Sequence, residues 1–332
     1  MIYDIDGAQI NGQWGSEGPD FAQPVCDNGY IWWYLDALSE DGTEGITLIA
    51  LLGNYCSPYY AAARRRSEGV AENYCAINAI LYRPKGSSWA MTERGSNSVS
   101  RSADKLSIGP TNITWKGRYI VIDLDEITVP IPSRLQGQIT VELPALCQSV
   151  FAIDGKGNHL WWPAGSSSKI AVDLKRPNLS WKGTAYFDSN RGIEPLENCF
   201  RYWDWYRAPT SSGETIITYN THPLNDELGS LAIRIGEHGF VEKIQDLASY
   251  ELPKTPIWRM RRETRADAQS VSKVIRTFED TPFYSRSLIA NNIGGKQLAG
   301  FHESIDFERF RKRWVQFLLP FRMPRRTAKL PK

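Results

Sequence analysis

Apolar positions along the chain recur mostly at every second residue or in short continuous runs, the spacing of strands rather than helices. Tyr30-Ile-Trp-Trp-Tyr-Leu leads through a turn-rich Ser39-Glu-Asp-Gly into Ile46-Thr-Leu-Ile-Ala-Leu-Leu, which predicts a β-hairpin. Further strands are expected at Tyr74 to Tyr82, Ile113 to Leu124, Gln138 to Leu143, Lys169 to Leu174 and Trp181 to Asp188, with Pro, Gly, Asn and Ser between them. Strands and helices do not alternate, so a parallel α/β sheet is not expected; an antiparallel barrel or sandwich is. The aromatic hairpin recurs faintly as Tyr202-Trp-Asp-Trp-Tyr-Arg-Ala followed by Ser212-Gly-Glu-Thr-Ile-Ile-Thr-Tyr. Either two β-hairpins are alike by chance, or two related β domains meet near Glu194 to Asn198, giving residues 1–195 and 196–332. The helical period holds once: Phe307, Phe310, Trp314, Phe317 and Leu318 share a face between Ser304 and Leu319, with Ser304 as cap and Pro320 as stop. Tyr59 to Val70, around Ala61-Ala-Ala-Arg-Arg-Arg, fits a short helix or a loop.

Composition refines this picture. The 332 residues exceed what one core usually holds, so two domains are the prior. Trp is abundant (12, beside 15 Tyr and 12 Phe), as in sites for carbohydrates or long apolar ligands. A net charge of +2 does not suggest a nucleic-acid partner. The charge is uneven, however. Arg309 to Lys332 holds nine Lys or Arg and no acid, which leaves 30 bases against 37 acids elsewhere, or −7: a basic appendage on an acidic body. The longest apolar run, Ile46 to Leu52, is far too short for a membrane span, and the first six residues do not read as a secretory signal. Five scattered cysteines and four separate histidines lack metal-ligand spacing; a reduced cytoplasmic setting without disulfide, metal or cofactor is expected.

Phosphate loops, GxSxG and HExxH are absent from the sequence, which leaves carboxylates among aromatics. In Ala185-Tyr186-Phe187-Asp188, strand alternation puts Tyr186 and Asp188 on one face. An aspartic acid in an apolar pocket stays protonated at neutral pH and can protonate a weak base such as an alkene. Alternatively, Asp188 caps a turn at Ser189-Asn-Arg-Gly. Trp161-Trp162-Pro163 forms a second aromatic cluster. Asp36 and Asp204 occupy similar places in the two hairpins and read as structural; Glu93-Arg94 and Asp123-Leu-Asp125-Glu126 read as strand-end or solvated charges, Arg64-Arg-Arg as a solvated or membrane-facing patch, and His159 as a surface histidine.

Gly29-Tyr-Ile-Trp-Trp-Tyr-Leu-Asp-Ala-Leu-Ser, Ser57-Pro-Tyr-Tyr, Asn73-Tyr-Cys-Ala-Ile-Asn, Trp89-Ala-Met-Thr-Glu-Arg-Gly and His159-Leu-Trp-Trp-Pro resemble the acyclic carotenoid 1,2-hydratase (hydroxyneurosporene synthase) family. So do Trp181-Lys-Gly-Thr-Ala-Tyr-Phe-Asp-Ser-Asn, Pro195-Leu-Glu, Trp203-Asp-Trp-Tyr-Arg, Pro282-Phe-Tyr-Ser-Arg-Ser and Pro320-Phe-Arg-Met-Pro-Arg-Arg, in the same order over residues 20–326. The resemblance implies a mainly β fold of two lipocalin-like domains, in a superfamily that includes fungal proteins guiding intramolecular Diels–Alder reactions. It also implies cofactor-independent addition of water across the terminal C1=C2 bond of neurosporene or lycopene. Asp188 would be the proton donor, with Tyr186 and a tryptophan of the Trp-Pro block, here read as Trp161, turning ring faces to the tertiary cation. Trp162, Trp203, Trp205, Tyr34 and Trp33 are the further candidates for substrate contact, in a long groove between the two domains. Rival expectations are a related enzyme acting on another polyene or terpenoid, such as a pericyclase, and a non-catalytic carrier of lipophiles. Since carotenoids reside in bilayers, the terminal helix and basic tail predict peripheral, salt-sensitive association with an anionic cytoplasmic membrane face, unless the helix packs on the protein body.

Overall fold

Strand-forming sequence dominates the computed structural model, which describes residues 2–4, 9–10, 17–224 and 229–326. Eleven strands of the larger sheet run antiparallel in the order Ser88–Arg94, Cys75–Tyr82, Gly45–Leu52, Tyr30–Ser39, Leu179–Gly192, His159–Arg176, Arg134–Glu142, Tyr119–Ile127, Thr111–Lys116, Lys105–Ile108 and Val99–Arg101. This sheet curls on itself until the Val129 N–H reaches the Trp89 carbonyl at 2.8 Å. Its concave side is filled by alternate residues of each strand, among them Trp33, Leu35, Leu48, Ile77, Ile122, Ile139, Trp162, Val172 and Phe187. The expected strand from Ile113 to Leu124 is two strands, because Gly117 turns the chain with φ at +68° between Thr111–Lys116 and Tyr119–Ile127. The expected strands around Lys169 and Trp181 belong to one long hairpin, His159–Arg176 with Leu179–Gly192.

A second sheet takes its strands in the order Val241–Lys243, Gly229–Ile235, Thr215–Pro223, Phe200–Pro209, Lys296–Asp306, Tyr284–Ile293 and Lys273–Asp280. Both aromatic segments form hairpins, Tyr30–Ser39 with Gly45–Leu52 and Phe200–Pro209 with Thr215–Pro223. The small hairpin Ala248–Leu252 with Arg262–Ala266 lies over the second sheet, where the Glu263 N–H bonds to Asp204. The opposite face of the second sheet packs against the convex side of the first through a core that includes Trp32, Tyr34, Trp161, Tyr186, Trp203, Trp205, Tyr219 and Phe301. Two faces of alternating strands thus meet with aromatic rings between them.

The long terminal helix is not observed. Ser304 lies inside the Lys296–Asp306 strand, paired with Asp204 across the sheet, so it cannot cap a helix. Asp306 is the cap instead: its carboxylate accepts the Arg309 N–H at 2.8 Å and starts a single turn, Phe307–Phe310. A break at Lys312 separates this turn from Arg313–Leu318. Phe307, Phe310 and Val315 are buried, whereas Trp314, Phe317 and Phe321 are exposed. Beyond them the chain returns to the first sheet, where Arg325–Arg326 pairs in parallel with Glu93–Arg94. Around Ala61 the chain is helical over Pro58–Arg64, with Ser57 accepting the Tyr60 N–H. The last two lysines of the basic tail, Lys329 and Lys332, lie outside the described residues.

Candidate active site

Register decides which side chains of the long Leu179–Gly192 strand turn towards the second sheet. Asp188 pairs with Tyr34, Tyr186 with Asp36 and Asn190 with Trp32 on one side, and Asn190 pairs with Trp161 on the other. Directly opposed residues share a face in an antiparallel pair, so Trp32, Tyr34, Asp36, Trp161, Tyr186, Asp188 and Asn190 form one surface. From the second sheet, Trp203, Trp205 and Arg207 share a face with Tyr219, Glu303 and Arg286 through the same alternation. Between the surfaces lies a cavity of about 400 Å³, lined by Trp32, Tyr34, Asp188, Asn190, Trp203, Trp205, Tyr219 and Glu303 and reaching outwards to Trp258, Leu318, Leu319 and Phe321.

Asp188 is the chemical centre of this surface. It is 5% exposed, and its Oδ2 accepts both the Trp161 indole N–H and the Tyr186 hydroxyl, each at 3.0 Å. Its Oδ1 has no hydrogen-bond partner among the described residues, nor does any Lys, Arg or His there form an ion pair with the carboxyl. Burial pushes its pKa well above the usual carboxylate value, and the two donors offset part of that rise. Burial therefore favours the neutral form of this carboxyl. With both donors on Oδ2, its proton belongs on Oδ1. The alternative turn at Ser189-Asn-Arg-Gly does not exist; the strand continues to Gly192, and the Ser189 hydroxyl bonds to the Trp32 carbonyl at 2.8 Å.

The expected site residues divide by face. Trp161 and Tyr186 are held against Asp188 by their polar hydrogens, while Tyr34, Trp203 and Trp205 line the cavity. Trp33 and Trp162 do not reach it. They point into the core of the first sheet, where Trp33 donates to the Pro19 carbonyl at 2.9 Å and Trp162 to the Cys147 carbonyl at 2.7 Å. Adjacent strand residues face opposite ways, so only one tryptophan of each pair can meet the substrate space.

Several charges read as solvated are buried. Arg94 pairs with Glu126 at 2.8 Å, Glu93 pairs with Arg325, and Arg64 pairs with Glu197. His159 is buried as well: it bonds to the Tyr30 hydroxyl at 2.9 Å, and burial lowers its pKa to about 4, so it is neutral. Asp36 and Asp204 are both structural but face opposite ways. Asp36 binds Arg207 and Arg286 between the sheets; Asp204, pushed up to about 7 by burial, binds Ser304 and the Glu263 N–H on the far side. Sequence reasoning missed Glu303, Tyr219 and Asn190 as cavity residues. Only the Phe200–Pro209 pairing reveals that Glu303 sits opposite Trp205.

Curled antiparallel sheets around an apolar, aromatic cavity define the class: a lipocalin-like β protein. The fold is similar to the crystal structure of a proposed AttH from Nitrosomonas europaea, with a TM-score of 0.58 at 10% identity, covering 90% of this chain and 99% of that one. A family model, carotenoid hydratase CrtC, matches residues 48–331. The chain is 45% identical over 323 residues to the acyclic carotenoid 1,2-hydratase of Thiocapsa roseopersicina, spanning 96% of this chain and 80% of the relative. It is 40% identical over 311 residues to that of Rubrivivax gelatinosus, spanning 93% and 76%. The chain belongs to the carotenoid hydratase family and is an enzyme of the hydro-lyase class.

Proposed function

We propose that this enzyme adds water, without a cofactor, to the terminal C1=C2 bond of acyclic carotenoids such as neurosporene and lycopene, with Asp188 as the acid. The observation that supports this best is the asymmetric carboxyl: among the described residues, two donors on Oδ2, none on Oδ1, and no ion pair with a cation. The Oδ1 proton passes to C2, and the π electrons that form the new C–H bond leave C1 as a tertiary cation. Trp161 and Tyr186 then stabilise the carboxylate that has just formed, as preorganised donors do where charge develops. They act on the acid, so the rings available to the cation are those of Tyr34, Trp203, Trp205 and Tyr219 around the cavity. A desolvated ring face contributes about 2 kcal/mol to a neighbouring cation. Water closes the reaction by attacking C1, and prompt capture in the enclosed cavity keeps the cation from reverting to alkene.

Size supports an end-on mode. If each carbon group takes somewhat less than water's share of about 30 Å³, the 400 Å³ cavity encloses one end of a C40 polyene and leaves the rest outside. Aspartate replacement tests the reading: purified Asp188→Asn keeps the shape and removes the acid, so hydration of lycopene is lost while binding persists. Near-wild-type turnover by this variant would overturn the mechanism.

We also infer that the outer end of the cavity meets an anionic bilayer peripherally. Phe317 and Phe321 are 70% and 67% exposed, beside the cavity-lining Leu318 and Leu319 and the exposed Arg311, Lys312 and Arg313. Among the described residues no helix is long and apolar enough to cross a membrane. Fewer charges are free for lipid than the nine of the tail, because Arg325 pairs with Glu93 and Arg309 binds the Trp258 carbonyl. Flotation with anionic liposomes at low and high salt measures the association.

A further inference from the structure

Acid-initiated hydration needs a second proton transfer: once water has attacked C1, the oxonium must give up a proton. Besides Asp188 the cavity is lined by Glu279, Asp280 and Glu303. Glu279 is pushed up to about 7 by burial and binds the Tyr82 hydroxyl, Asp280 accepts from Thr255 and the Ile257 N–H, and Glu303 alone of the three binds a fully buried arginine. Glu303 lies on the Lys296–Asp306 strand, pairs with Trp205 on one side and Arg286 on the other, and lines the same cavity from the facing sheet. Arg286 is fully buried and binds Glu303, Asp36 and the Tyr34 hydroxyl. Tyr34 connects the two carboxyls: it stands directly opposite Asp188 in the first sheet, and its hydroxyl meets Glu303 at 2.8 Å.

The two groups therefore differ in the feature that decides protonation. Asp188 has neutral donors and no cation; Glu303 is in contact with a buried guanidinium that cannot be deprotonated. Burial, and to a lesser degree Asp36, leave the Glu303 carboxyl raised above its ordinary value, while Arg286 and the Tyr34 hydroxyl hold that rise back. A pair of carboxyls placed in such contrasting environments is the arrangement by which one fold supplies both an acid and a base.

We propose that Glu303, held ionised by Arg286, is the base that takes the proton from the attacking water. This rests on Asp188 being the acid. The transfers balance: Asp188 loses its proton to C2, the water oxygen bonds to C1, one O–H bond of that water breaks, and its proton goes to the Glu303 carboxylate. Alkene and water become tertiary alcohol with no change of oxidation state of the protein, and the proton returns from Glu303 to Asp188 through water in the cavity. Because the carboxyls project from facing sheets, hydrogen and hydroxyl are delivered to opposite faces of the double bond.

Incubation with lycopene in detergent micelles made up in D2O separates the two steps, since a cation that forms but is not captured returns to alkene and leaves deuterium behind. With the wild-type chain the product carries deuterium at C2 and recovered lycopene stays nearly unlabelled. In Glu303→Gln the product falls at least a hundredfold, while recovered lycopene gains deuterium, so the ratio of exchange to hydration rises more than tenfold. Asp188→Asn loses both. Should Glu303→Gln fail to fold, Glu303→Asp keeps the charge beside Arg286, withdraws the carboxylate by one methylene, and gives a raised ratio by the same readout. A wild-type ratio in the folded variant, whether hydration is retained or falls together with exchange, overturns the base and leaves Glu303 a counter-ion to Arg286. Hydration and exchange persisting in Asp188→Asn would instead overturn the acid.

Discussion

Replacing Trp161 by Phe removes one hydrogen bond from the acid and leaves the cavity lining in place. The indole N–H lies 3.0 Å from Asp188 Oδ2, and Trp161 is fully buried and does not line the cavity. Before proton transfer that bond joins two neutral groups and contributes about 1 kcal/mol; with the carboxylate formed it contributes about 1.5–3 kcal/mol. The difference, about 0.5–2 kcal/mol, is lost only as charge develops, so kcat falls about two- to thirtyfold while KM stays close to wild type. The pH profile supplies a second readout. Activity needs neutral Asp188, whose pKa burial already holds well above the usual value. Activity therefore declines on the alkaline side as pH rises through that pKa, and on the acid side it falls once the Glu303 carboxylate is protonated. Removing a donor that favours the Asp188 carboxylate raises that group's pKa further, so the alkaline limb of Trp161→Phe moves to higher pH. Tyr186, Glu303 and Asp36 surround the same carboxyl and are unchanged in this variant. Turnover of lycopene followed by chromatography across pH, below the melting temperature of the variant, tests both statements. An unmoved limb with unchanged kcat, or a loss confined to KM, would refute the assignment of Trp161 to the acid.

Trp162→Ala should have the opposite signature: this ring fills the core of the first sheet, so the variant loses about 3–5 kcal/mol of stability by denaturant titration, and its folded fraction turns over normally. Asp188→Asn should also change stability with pH. The folded-state pKa is raised above the unfolded value of 3.8, so the contribution of Asp188 to stability is fully present below 3.8 and is lost as pH rises towards the folded-state pKa; Asn does not titrate, and the variant's melting temperature gains on wild type as pH rises above about 4. His159 and His302 act in the acid direction, since their pKa values fall to about 4 from 6.5, so stability drops as pH falls from 6.5 towards 4; calorimetry across that window reads the loss. Phe317→Ser should weaken flotation with anionic liposomes at low salt while leaving hydration of micellar substrate intact; undiminished flotation would remove this ring from the membrane face.

Local sequence determined much of this protein because strand alternation needs no knowledge of partners. The antiparallel β class, both aromatic hairpins and the shared face of Tyr186 and Asp188 are consequences of period two and of turn residues. What required tertiary structure is everything set by register. Trp161 and Trp162 are indistinguishable in sequence; the pairing of Trp161 with Asn190 turns the first to the acid and the second to the core. Phe307 to Leu318 satisfies a helical period, yet Ser304 is committed to the sheet by Asp204, a partner 100 residues away, and the helix breaks into two short turns. Glu93, Glu126 and His159 resemble surface residues until distant Arg325, Arg94 and Tyr30 close over them. The raised pKa of Asp188 and the ion pair of Glu303 with Arg286 belong to the same category. A carboxyl's charge follows from desolvation and from the cation beside it, and both are decided only when two sheets formed from separate stretches of chain face each other.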